Sequence, residues 1–249
     1  MDDKLTITRI KLLDIPIDIL TPEDFEERIE SLTKDGGKHQ IVLLDLMGLL
    51  KARGHNEFGK CVRQASLVVP VSNLIIKGAH FMKKPEPRRY MPFEFIIRLL
   101  GVLEKHGQSV YFIGSRISEI QKAAKNLRDS FPGLQLVGRC AGYYRKDEER
   151  DIILAVKKAS PTLLLAGRGL PGKDRWILTH EKDFNPGLYL YSGDCFDIFA
   201  GKKRKPSCSS WEKGIEWMPD LLRHPWLIYR IFPILYYDIL LLFNKIRKE

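Results

Sequence analysis

The sequence predicts an α/β protein built on a mostly parallel, Rossmann-like sheet with helices on both faces, and three observations predict it. Short apolar, β-branched-rich runs recur along the chain, segments of helical spacing alternate with them, and Pro-Gly pairs punctuate the returns. Strand followed by helix, repeated, leads to parallel pairing with right-handed crossovers. The predicted strands are Ile41 to Leu46, Leu67 to Val71, Val110 to Ile113, Leu134 to Val137, Leu163 to Ala166 and Leu188 to Tyr191. They read as buried strands, four apolar throughout and two interrupted once, by Asp45 and by Gln135.

Between them the spacing predicts helices over Leu49 to Gln64, Phe93 to His106, Ser118 to Ser130, Glu148 to Ala159 and Asp174 to Lys182. In the second of these, Phe95, Ile96, Leu99, Leu100 and Leu103 share one stripe, while Arg98, Glu104 and Lys105 face water. Pro132-Gly133 and Pro186-Gly187 end helices and Pro161 introduces a strand. Residues 1–200 are expected to form the α/β core and residues 201–249 a basic, aromatic appendage.

Composition narrows the class. The 249 residues are 44% hydrophobic and 29% charged, which excludes a disordered or collagen-like chain. The net charge of +10 points to an anionic partner, and it is concentrated: Lys77 to Arg89 carries +4 and residues 201–249 another +5. No stacking-aromatic motif accompanies these patches, so nucleic acid is not an expected partner. Cys61, Cys140, Cys195 and Cys208 are widely separated, without a C-x-x-C pair, and are expected as reduced, buried thiols. The opening Met1-Asp2-Asp3-Lys4 leads into no long apolar run, so neither a secretory signal nor a leading anchor is expected and the cytoplasm is the expected compartment.

The stretch Pro225 to Phe243 holds only Arg230 and Asp238 as charges and contains Pro233. It is a poor spanning helix, and two readings stay open. It lies in a membrane interface, with Trp226, Tyr229, Tyr236 and Tyr237 at headgroup level and Lys245, Arg247 and Lys248 meeting anionic lipid. Alternatively it docks on the core or on a subunit interface.

Strand ends are where an open α/β sheet keeps its ligands, which selects Asp45, Pro70 to Asn73, Gly114-Ser115-Arg116 and Gly167-Arg168-Gly169. The loop Gly167 to Trp176 places Lys173, Asp174 and Arg175 at a helix start, either to grip a polar ligand or as plain turn and cap chemistry. Asp194 and Asp197 sit three apart after the last strand, suited to accept hydrogen bonds from a nucleoside, and no third acid or His nearby favours a metal.

These pieces together match a family pattern. Ile41 to Leu46, Ala65 to Pro70, the turn with Arg89, Phe112-Ile-Gly, Phe131-Pro-Gly-Leu, Gly142-Tyr143, Gly167-x-Gly-x-Pro, Phe196-Asp-Ile-Phe-Ala-Gly, Gly214-Ile-Glu-Trp and His224-Pro225 resemble the WecG/TagA/CpsF glycosyltransferases from about residue 41 to 230. The resemblance implies a bacterial enzyme of cell-surface polysaccharide synthesis. Such an enzyme moves an N-acetylmannosamine-type sugar from a UDP donor to a polyprenyl-diphosphate-linked acceptor at the inner face of the plasma membrane, with no cofactor or metal.

By the same resemblance, Arg89 lies near the donor diphosphate, Tyr143 in the Gly-Tyr turn, Asp197 on the nucleoside and Arg230 on the diphosphate groups. Asn73, Gly167, Gly169 and Lys173 complete the expected substrate contacts. The pattern also departs. Its Thr-x-Asn reads Leu43 and Asp45, its Pro-Asp-Gly with the proposed catalytic base reads Pro70-Val71-Ser72, and its Ser-Pro-Lys-Gln-Glu reads Leu170-Pro171-Gly172-Lys173-Asp174. Two further appendage arginines fall at Asp220 and Leu227. Val71 cannot take a proton, which leaves Asp45 as the candidate base, or else a non-catalytic relative serving as scaffold or regulator. A homo-oligomer is compatible with the family, whose appendage completes the site only on a monomeric core.

Overall fold

The computed structural model describes residues 7–173, 175–214 and 231–247. Its centre is a six-stranded sheet in the order β4-β3-β8-β7-β5-β6. The strands are β3 (Lys38–Leu44), β4 (Leu67–Pro70), β5 (Ser109–Ile113), β6 (Gln135–Cys140), β7 (Leu163–Ala166) and β8 (Gly187–Tyr191). Every neighbouring pair is parallel; the edge strand β6, expected to be buried, instead alternates exposed and half-buried residues, because only β5 flanks it.

Alternate residues pack on opposite faces. Leu67, Val69, Val110, Phe112, Leu163, Leu165, Leu188 and Leu190 meet α1 (Asp24–Lys34), α5 (Pro92–Lys105), α6 (Ile117–Ser130) and α9 (Cys195–Phe199). On the other face Val42, Leu44 and Val68 meet α2 (Leu46–Ala52), α3 (Glu57–Gln64) and α4 (Asn73–Phe81). Further along that face Tyr111, Ile113, Leu164 and Tyr189 meet α7 (Glu149–Ala159) and α8 (Arg175–His180).

Several boundaries differ from the sequence reading for local reasons. The helix expected over Leu49 to Gln64 is two, because Asn56 accepts a hydrogen bond from Gly59 N at 2.8 Å and starts α3 afresh. The strand expected to reach Leu46 stops at Leu44, since Asp45 caps α2 through Gly48 N at 2.6 Å. The helix expected to reach Lys182 ends at His180 and gives way to a 3-10 turn over Glu181–Asp183. All four cysteines are free, but only Cys61 and Cys195 are buried and Cys208 is exposed, which corrects the expectation of four buried thiols.

An unforeseen antiparallel hairpin, β1 (Arg9–Leu12) and β2 (Ile15–Asp18), closes the β4 edge of the sheet. The buried Asp18 carboxylate accepts from Val68 N at 2.6 Å, and Arg9 Nε holds its other oxygen at 2.6 Å. A side chain thus satisfies an edge amide that would otherwise invite another strand.

Beyond the core, α10 (Cys208–Lys213) and α11 (Ile231–Ile246) pack on it. Helix α11 lies on α2 and α4, burying Tyr237 and Leu241 in the core cluster beneath them. The Tyr237 hydroxyl donates to Leu74 O at 3.2 Å and fits over Gly78, where a Cβ would stand 1.8 Å from that oxygen. The docked reading of the tail therefore holds for this helix. Its opposite face is equally apolar and faces outward, with Phe232 at 72%, Phe243 at 69% and Ile246 at 70% exposure. Among the described residues, no helix is long and apolar enough to cross a membrane.

Gly78→Ala is expected to cost about 1–3 kcal/mol by overpacking against Tyr237. Adding Tyr237→Phe, which removes the clashing oxygen, is expected to recover part of that loss in urea unfolding.

Candidate functional site

The carboxyl ends of β5, β6 and β7 are tied into one unit by backbone hydrogen bonds. Ser115 N donates to Arg168 O at 2.5 Å, Gly142 N to Ser115 O at 2.8 Å and Tyr143 N to Gly169 O at 2.8 Å. Ser115 and Tyr143 are held at left-handed φ of 57° and 58°, conformations that non-glycine residues adopt only when the surroundings impose them. Two glycines permit the approach. A Cβ on Gly169 would stand 2.7 Å from the Tyr143 ring, and one on Gly167 would stand 2.4 Å from the Phe196 ring. The Tyr143 ring therefore lies on the Gly167–Gly169 turn while the side chain stays 61% exposed.

Helix α9 supplies the opposing wall. Asp197 is buried and accepts from Ser115 Oγ at 3.1 Å and from Arg168 Nη1 at 3.2 Å. Together with Tyr143, Glu119 and Lys202, these residues line a cavity of about 130 Å³. Lys202 Nζ lies 2.7 Å from Glu119, and that ammonium holds the carboxyl below its ordinary range. Burial pushes the neighbouring Cys195 thiol far above its ordinary value, so it stays protonated and inert.

A second, larger cleft of about 1310 Å³ opens beside the first, between the ends of β3 and β8 and under α10. Chain leaving β3 goes to one face of the sheet and chain leaving β8 to the other, the parting that leaves a crevice in an open α/β sheet. Leu43, Met91 and Phe93 give it apolar wall, while Lys51, Lys173, Lys203, Arg204 and Lys205 bring positive charge against, among the described residues, Asp45 and Asp194. Lys173, at φ 54°, and Val71 line this cleft together with Asp45.

The structure thus divides the expected residues into three groups. Tyr143, Gly167, Gly169 and Asp197 gather at the small cavity; Asp45 and Lys173 gather at the large one. Asp45 is exposed there, with one carboxylate oxygen engaged as the α2 cap. Arg89 and Asn73 stand apart from both, at the junction with α10. Arg89 donates to Val71 O at 3.0 Å and Trp211 O at 2.7 Å, and its guanidinium lies 3.5 Å over the Trp211 ring. Asn73 packs against Gly214, where a Cβ would meet its amide at 2.4 Å. Arg230, Asp174, Asp220 and Leu227 lie outside the described residues.

Lys202 and Lys203 were not singled out as site residues from the sequence, and Arg168 and Asp194 were marked only within their strand-end turns, yet the four occupy the ground between the cavities. Arg168 pairs with Asp194 as well as Asp197, and Lys203 shares Asp194. The available signal was a charged residue inside Gly-Arg-Gly and the basic run that follows the last strand.

The family model described as the glycosyl transferase WecG/TagA/CpsF family matches residues 10–249 of this chain. The chain belongs to that family. Among its relatives is the N-acetylglucosaminyldiphosphoundecaprenol N-acetyl-beta-D-mannosaminyltransferase of Staphylococcus aureus strain MW2, 22% identical over 252 residues, which covers 100% of this chain and 98% of the relative. The proteins of the same name from strains COL and MRSA252 are 22% identical over 252 and 253 residues with the same coverage. The family match extends the resemblance of residues 41 to 230 in both directions, to take in the β1-β2 hairpin and α11.

Asp197→Ala is expected to lower the unfolding free energy by about 1–3 kcal/mol, since buried Ser115 Oγ loses its acceptor. Ser115→Ala added to it should cost less than Ser115→Ala alone, because both remove the same bond; a urea double-mutant cycle checks this.

Proposed function

We propose that this protein is a glycosyltransferase that transfers an N-acetylmannosamine-type sugar from a UDP donor to an N-acetylglucosaminyl-diphosphate carried on a polyprenyl lipid. The observation that carries the reading is the adjacency of the two cavities in a chain of this family. The small one has the attributes of a nucleoside pocket: an exposed aromatic ring held by its backbone, and a buried carboxylate to accept ribose or base hydrogen bonds. The large one suits a sugar and an anionic lipid head, being apolar within and lysine-rich at the rim. The named activity of the staphylococcal relatives supplies the acceptor class.

In the mechanism proposed, Asp45 takes the proton from the acceptor hydroxyl, and Lys173 stabilises the departing diphosphate from across the same cleft. Val71, beside it at the end of β4, contributes only apolar wall. The competing reading, a non-catalytic relative, is favoured by that valine and by the engagement of Asp45 as a helix cap. UDP release from a panel of UDP-sugars, with a polyprenyl-diphosphate-GlcNAc analogue in detergent, decides between them. Acceptor-dependent release that Asp45→Ala abolishes is the expected result. Measurable UDP binding without release supports the scaffold.

Residues 201–249 act in this reading as an appendage that seats the core on the inner face of the plasma membrane. The outer face of α11 provides the apolar contact, and Lys245, lying 4.4 Å over the Phe81 ring, joins it to the basic segment after α4. Lys245 of the tail is thereby a neighbour of the basic stretch Lys77 to Arg89.

Phe232→Ser with Phe243→Ser is expected to release the protein from phosphatidylglycerol-containing vesicles in a flotation assay. The melting temperature should stay unchanged, because neither ring is part of the core.

A further inference from the structure

The small cavity, at about 130 Å³, has the scale of a single ring, compared with an apolar cavity of roughly 150 Å³ that holds benzene. A nucleoside diphosphate whose base sits there has to pass its phosphates into the larger cleft. What stands in that passage is an ion-pair chain. Arg168 and Asp197 line the small cavity, Asp194 and Lys203 line the large one, and Arg168 with Asp194 bridges the two.

The two carboxylates holding Arg168 differ in kind. Asp197 is buried and fixed by Ser115 Oγ. Asp194 is 38% exposed, and so are its partners Arg168 at 46% and Lys203 at 52%, so the Asp194 pairs cost little to open. One nitrogen of the guanidinium, Nη1, faces Asp197, and the other, Nη2, faces Asp194. A planar fork of this kind keeps one contact while exchanging the other.

We propose that the Arg168–Asp194 pair is a gate opened by the donor diphosphate. Arg168 pivots on Asp197, its second nitrogen leaves Asp194 for a phosphate oxygen, and Lys203 is released from the same carboxylate to the same anion. Asp194 thus acts as a stand-in anion that holds two cations side by side until the diphosphate replaces it. This rests on the UDP-donor reading and deepens it: Arg168 and Lys203 become diphosphate ligands, and the identity of residue 194 sets the threshold for donor entry.

The test is titration calorimetry of the full chain with uridine and with UDP, on wild type, Arg168→Gln and Asp194→Asn. Arg168→Gln is expected to weaken UDP about tenfold or more while leaving uridine within twofold, because the lost contact is to the phosphates. Asp194→Asn, an exposed change that leaves the fold intact, is expected to tighten UDP about two- to fivefold and leave uridine unchanged. Equal losses for uridine and UDP in Arg168→Gln, or unaltered UDP affinity in Asp194→Asn, would overturn the gate while leaving the donor reading standing. A wild-type chain that binds neither uridine nor UDP overturns the donor reading and the gate with it.

Discussion

The site depends on one constraint of parallel sheets: neighbouring strands β3 and β8 send the chain to opposite faces. Leu44 hands over to α2 on one side and Tyr191 to α9 on the other, so no connection bridges the ground between them. The large cleft occupies that ground. The small cavity follows from the same rule one step along the sheet, where the turns after β5, β6 and β7 all open on α9 and are fixed by each other's backbone. The polar chemistry is thereby set on rigid supports, with the two strained residues, Ser115 and Tyr143, at the centre of the hydrogen-bonded unit.

Much of this was legible in the sequence because parallel strands announce themselves as continuous apolar runs. All six were located, with ends shifted by a few residues where caps such as Asp45 intervened. The hairpin, α4 and α1 escaped, although α1 runs to eleven residues. The hairpin at residues 9–18 and α4 carry too few residues for periodicity to speak, and their placement is settled by tertiary partners such as Asp18 on Val68 and Tyr237 on Gly78. At the site, motif positions were visible but their division between two cavities was not. Glycine spacing marks a tight turn without saying which ring lies on it, and a run of lysines does not reveal that Lys202 turns to Glu119 while Lys203 turns to Asp194.

Electrostatics separates the two cavities as much as shape does. In the small one each described acid has a cationic partner, Glu119 with Lys202 and Asp197 with Arg168. In the large one the cations outnumber the acids, which draws in anions and favours negative charge developing there. Burial completes the division, since the hydroxyl and carboxylate of Ser115 and Asp197 are shielded while the lysines of the large cleft stand in water, strong as steering charges and weak as fixed pairs.

Arg89 grips residue 71 by its carbonyl oxygen, and grips Trp211 in the same way. A backbone oxygen is indifferent to the side chain it belongs to. The anchorage of α10 to the end of β4 is consequently blind to the side chain at position 71, an acid or the valine found here. A change of side chain there leaves both hydrogen bonds in place, so the anchorage of α10 puts no demand on the chemistry that position 71 carries.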